Sequence, residues 1–165
     1  MPEPATIERA RGDAREGKSP STQAGEFVRE EFQHIRAGKH GARSPQQAIA
    51  IGLSKARRAG VKLPPPKIGK TLEKVRHQAE RENERGREGG SRRASSRRSR
   101  ATLGALRREG HHAASTSAIP KHTHVAARRR PASQRSASAQ RAVHTKGRAI
   151  LSAAGRKAAR TRRLT

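Results

Sequence analysis

The sequence contains no cysteine, tryptophan or tyrosine, and only two phenylalanines. Without cysteine there is no disulfide framework, no thiolate metal site and no cysteine nucleophile. With so little aromatic bulk a large core cannot be built. Leu, Ile, Val and Phe together supply 21 of the 165 residues, about 13%. That lies below the roughly 20% under which a highly charged chain is expected to be disordered. Acidic residues are scarce as well, 13 Asp+Glu against 39 Lys+Arg, and Asp13 is the single aspartate. No apolar run approaches the ~18 residues of a membrane span. The opening MPEPATIERARGD has no hydrophobic segment of the kind that begins a secretion signal. A soluble, intracellular chain with no membrane partner is expected.

Positive charge is what the sequence has. The net charge is +26, and it is unevenly placed. Residues 1–34 sum to −2, residues 35–88 to +9 and residues 89–165 to +19. Large apolar side chains run the other way, with Phe27, Val28, Phe32, Ile35, Ile49, Ile51, Leu53, Val61 and Leu63 crowded into the first 63 positions. A near-neutral head therefore leads through a mixed middle into a cationic tail, the pattern of a polyanion-binding tail.

The expected fold class is mostly α. A small helical N-terminal segment, 1–63, carries helices near 6–16, 21–37 and 44–59, the last two forming a helix-turn-helix-like hairpin. Thr6 is a candidate N-cap for the first, with Gly12 weakening its middle, and Ser19-Pro20 reads as a terminator. In the second, Ala24, Val28, Phe32 and Ile35 recur at helical spacing, with Phe27 at the edge of that face. Ser44, Pro45 and Gln47 form a capping-box arrangement at the start of the third, where Ile49, Leu53 and Ala56 make the apolar stripe and Gly60 the left-handed stop. Ile51 faces away from that stripe: either the helix packs on two sides, or Ile51, with the Phe27 edge, offers a surface to a partner.

Residues 64–90 read as a linker: Pro64-Pro65-Pro66, then a solvated spacer helix over 71–88 capped by Thr71. Its expected support is ion pairs such as Arg76 with Glu80 and Arg81 with Glu84. Residues 91–165 read as a largely disordered Arg/Ala/Ser-rich tail that becomes helical once phosphates neutralise it. Ser136-Ala137, Arg141-Ala142 and Thr145-Lys146 recur sixteen positions later as Ser152-Ala153, Lys157-Ala158 and Thr161-Arg162. In composition the tail is similar to the tails of linker-histone-like bacterial proteins, with Arg replacing most Lys.

The chemistry that fits is counterion release, in which each phosphate neutralised by a cation liberates a condensed ion. Arg outnumbers Lys 29 to 10, which favours forked phosphate contacts. The expected nucleic-acid contacts in the head and linker are Lys39, Arg43, Gln46, Gln47, Lys55, Arg57, Arg58 and Lys62. The two glutamines are placed to reach adenine edges if their helix enters the major groove. In the tail the contacts are Arg92, Arg93, Arg97, Arg98, Arg100, Arg107, Arg108, Arg128, Arg129, Arg130, Arg156, Lys157, Arg160, Arg162 and Arg163. No aromatic residues interleave these cations, so stacking on single-stranded bases has no support. His111, His112, His122 and His124 gather in sequence without a nearby carboxylate, too weak a pattern to assign a metal. No catalytic residue, cofactor or enzymatic activity is expected.

The run KHGARSPQQAIAIGLSKARRAGVKLPPP, with REGKSPSTQAGEFVREEFQHIR before it, resembles a bacterial domain of unknown function found in small basic proteins often labelled DNA-binding. SRRSRATLGALRREG and AAGRKAARTRR are similar to the tails of those proteins. The resemblance implies a bacterial, intracellular setting and carries no activity. The expectation is thus sequence-nonspecific DNA binding, nucleoid-associated and cytoplasmic. RNA is the alternative polyanion, and a second copy or another protein is the expected partner of residues 21–63.

Overall fold

The computed structural model describes residues 2–69, 71–89 and 95–163. They form eight α-helices and one short 3-10 turn, with no strand among the described residues. The chain divides into two compact units, Met1–His122 and Thr123–Thr165.

The first unit is built on three helices, α1 (Pro4–Arg15), α2 (Pro20–Arg36) and α3 (Pro45–Arg58). Each begins with proline, whose fixed φ suits the first helical turn and whose missing N–H leaves nothing unpaired there. Ser19-Pro20 therefore opens α2 and does not merely close α1: Ser19 is the N-cap, and its hydroxyl accepts from the Thr22 N–H. Ser44 caps α3 by accepting from the Gln47 N–H at 3.3 Å, while Gln47 Oε1 accepts from the Arg43 N–H at 2.8 Å. This is the reciprocal arrangement expected there, shifted by one residue at its outer end. Thr6 is not a cap. Glu3 takes that place, and Thr6 is buried inside α1, where its hydroxyl accepts from Arg9.

The faces buried in this unit differ from those that periodicity favours. On α3 the buried residues are a stripe of small side chains, Ala48, Gly52 and Ala56, together with Arg57, whereas Ile49 and Ile51 are half-buried. Small residues win because they let backbones approach closely: a Cβ built on Gly52 would lie 2.7 Å from the Val28 Cα on α2. Phe27 is not at an edge. It is 1% exposed, enclosed by Ala10 of α1, Ala24 of its own helix, and Ala56 and Val61. Because α1 covers α2 from a second side, Phe27 is not available to a partner. A second cluster joins Ile35, Ala42 and Ala48 to Ala113 and Ala114, with Phe32 against it.

The linker helix is more than a spacer. α4 (Glu73–Arg87), preceded by Leu72 in place of a Thr71 cap, packs on α3. Ser54 donates to Glu82, Asn83 donates to the Leu63 carbonyl, and a Cβ on Gly86 would collide with the Arg57 carbonyl. Arg76 pairs with both Glu73 and Glu80, and Arg81 donates to Gln78.

The region read as a largely disordered tail carries helices in its described part: α5 (Ser96–Arg108), the 3-10 turn His112–Ala114, α6 (Ala118–Arg128), α7 (Ala132–Lys146) and α8 (Arg148–Arg163). Ala, Arg, Lys, Leu and Gln, all strong helix formers, dominate these segments, so local propensity suffices without a core. The part in the first unit is also tied down. Gly41 and Ala42 donate to the Leu106 and Gly110 carbonyls, and Arg36 donates to the Ala114 carbonyl. The sixteen-residue sequence repeat becomes two helices of matching register, α7 and α8, separated by Gly147 at φ 78°. Neither contains a buried residue. No helix among the described residues is long and apolar enough to cross a membrane.

Gly52→Ala tests the close approach of α2 and α3. In an exposed helix this change gains up to ~1 kcal/mol. Here the methyl group meets backbone, and urea denaturation should show a net loss of about 1–3 kcal/mol.

Candidate nucleic-acid interface

The expected contact residues fall into two groups. Lys39, Arg43, Gln46, Arg58 and Lys62 are exposed in the first unit, as are Arg97, Arg98, Arg100, Arg107 and Arg108 on α5. In the second unit Arg128, Arg129 and Arg130 close α6, and Arg156, Lys157, Arg160, Arg162 and Arg163 lie exposed on α8. Arg92 and Arg93 lie outside the described residues. Gln47, Lys55 and Arg57 belong to the interior of the head: Gln47 is engaged in the α3 cap, and the other two sit in buried ionic clusters.

Arginines 156, 160 and 163 recur at i, i+4 and i+7, so they line one face of α8. From Thr123 to Thr165 there are twelve Lys+Arg and no acidic residue. All of these cations are exposed. In the first unit, by contrast, several cations are answered. Arg9 pairs with Glu26, Arg15 with Glu8, Lys18 with Asp13 and Glu16, and Arg76 with Glu73 and Glu80. These pairs hold the Glu8 and Glu73 carboxyls below their ordinary range, chiefly through the arginine hydrogen bonds.

Two internal clusters account for the cations that do not reach the surface. In one, Arg57 lies 3.9 Å from Glu82, and burial lowers the Arg57 pKa against the raising effect of that carboxylate. The Arg57 Nε and the Asn83 Oδ1 have no hydrogen-bond partner, beside a cleft of about 490 Å3 that Lys62 and Arg87 also border.

The other is centred on α2. Glu30 and Glu31 are each 1% exposed. Lys55 Nζ reaches across from α3, 3.3 Å from Glu30 Oε1 and 2.6 Å from Glu31 Oε2. Around them stand His34 and His40, whose rings meet edge to face at 6.1 Å. Glu3, ahead of α1, closes the cluster. Its N–H donates to Glu30, and its side chain meets His34 at 2.8 Å and Lys39 at 2.9 Å. Those two hydrogen bonds, Lys39 first, bring the Glu3 carboxyl down to about 2.

Sequence reasoning passed over this cluster although a signal was present. Glu31 stands four residues after Phe27 and four before Ile35, on the buried stripe of α2, and Lys55 adjoins the small-residue stripe of α3. A carboxylate on one buried stripe and an ammonium on its neighbour are a readable pair. His111, His112, His122 and His124 do not join in any grouping of three metal-competent side chains among the described residues.

Residues 17–67 match the model of a family of unknown function, DUF6496. The matched stretch contains α2, α3 and the turn between them, so the resemblance read on KHGARS and QAIAIGLSKARRAG falls on the same segment. No curated protein and no solved structure matches the chain.

Removing Lys55 leaves two buried carboxylates uncompensated. Lys55→Met is expected to cost about 3–5 kcal/mol in chemical denaturation, whereas Lys62→Met, at an exposed position, should stay within about 0.5 kcal/mol.

Proposed function

We propose that this protein is a non-enzymatic, nucleoid-associated DNA-binding protein that engages duplex phosphates with little sequence preference. The observation that carries this reading is the second unit, a segment of twelve exposed cations and no acidic residue. α5 adds five more exposed arginines from the first unit. Guanidinium forks suit phosphate oxygens, and such contacts position a protein without reading bases. Gln47 is occupied by its helix cap, which leaves base reading by α3 with only Gln46 as an exposed glutamine. Helices without a buried face gain from a polyanion in a second way, because phosphates relieve the self-repulsion of their own arginines.

The test is binding of the full chain to two unrelated duplexes over about 50–200 mM salt. With about eight phosphates neutralised, the log–log slope should be near −7, and the two duplexes should bind alike. Replacing Arg156, Arg160 and Arg163 by glutamine should make the slope shallower by about 2–3, roughly one for each phosphate no longer neutralised. A slope near zero, or strong preference for one duplex, contradicts the reading. Displacement of the DNA by structured RNA at matched salt, with tenfold preference, would make RNA the partner.

A further inference from the structure

The Glu31 cluster has a feature that phosphate binding does not use. Both Glu31 carboxylate oxygens are buried, and neither accepts a hydrogen bond. Lys55 neutralises charge at Oε2, but the approach lacks hydrogen-bond direction. Oε1 instead faces His40 Nε2 at 3.3 Å. The other nitrogen of that ring, Nδ1, lies 3.1 Å from the Gly41 carbonyl. A carbonyl can only accept, so Nδ1 donates to it, and in the neutral ring the lone pair belongs to Nε2, on the side of Glu31. In that neutral form two acceptors, Nε2 and Oε1, stand 3.3 Å apart in the interior.

His34 repeats the pattern. Its Nε2 lies 2.8 Å from a Glu3 carboxylate oxygen. With the proton on Nε2, the lone pair belongs to Nδ1, which lies 3.9 Å from Glu30 Oε1. One donor atom each from Glu31, His34 and His40 lies within 4.8 Å of the other two. Histidines whose far nitrogen is held by a carboxylate or a backbone carbonyl are oriented as metal ligands are. With neutral imidazoles, Glu30 and Glu31 outnumber Lys55 by one charge, and a cation supplies what is missing.

We propose that Glu31, His34 and His40 form a binding site for a divalent transition-metal ion of the zinc class. Two imidazole nitrogens and one carboxylate oxygen suit zinc better than magnesium or calcium, which prefer oxygen alone. The ion would staple the C-terminal half of α2 to the turn that leads into α3, in a chain with no cysteine to provide another cross-link. Glu3 is then a positioning residue, acting through His34.

The test is titration of the chelator-treated full chain with Zn2+ and with Co2+, read by calorimetry, by the visible absorption of Co2+ and by the thermal midpoint. One equivalent should bind and raise the midpoint. His34→Gln and His40→Gln should each weaken binding at least about tenfold, and Glu3→Gln by about tenfold with the three ligands intact. His122→Gln and His124→Gln should leave binding unchanged. X-ray absorption on the zinc-loaded wild type counts ligands whether or not a variant folds, and two imidazoles are expected. No saturable binding at one equivalent, fewer than two imidazoles, or affinity undiminished in both ligand variants overturns the site. An imidazolium at His40 with no metal uptake would do so as well.

Discussion

Lys55 of α3 reaches between Glu30 and Glu31, two carboxylates that α2 has carried almost entirely out of water. Burying charge is expensive unless a partner stands close, so this contact ties the two helices to a short separation. The small stripe Ala48, Gly52 and Ala56 makes the approach possible, and Phe27 fills the space on the side that α1 covers. Remove the close approach and the ammonium cannot reach; remove the ammonium and the carboxylates cannot stay. Helix caps at Ser19 and Ser44 then set where each helix begins, so that the two stripes face each other.

A second consequence is the sorting of charge. The first unit uses its acidic residues internally, in surface pairs and in the two buried clusters, and its interior holds cations that a count of sequence charge would assign to the surface. The second unit has no acidic residue, and its cations are exposed. A chain poor in large apolar residues remains helical there because alanine and arginine favour helix locally. Its helices pack α7 with α8 without building a core. The proposed function takes phosphate as the counterpart of such a surface.

Much of this was legible. The three head helices, the Ser44 and Gln47 cap, the Gly60 stop and the sixteen-residue repeat all follow from local rules, and each is present in the structure. What failed to show is long-range. Periodicity ranks Ile49 and Leu53 above Gly52 because it weighs side-chain bulk, whereas helix packing here rewards the absence of a side chain. Composition marks 91–165 as largely disordered and only conditionally helical because it counts apolar residues, whereas Ala113 and Ala114 need little area to fill the gap beside Ile35. Propensity favours helix in the rest. The buried Glu31 and Lys55 pair was visible as two charges on or beside buried stripes, but its meaning depends on which helices meet.

Amide hydrogen exchange of the full chain, with and without duplex DNA, tests most directly the division between a head held by its internal ion cluster and a cationic surface left for phosphates. Residues 24–35 and 48–57 should be the slowest to exchange in both states, and DNA should add protection to the helices within 96–163. DNA-induced protection concentrated in α2 and α3, or head amides that exchange as fast as those of α8, would contradict it.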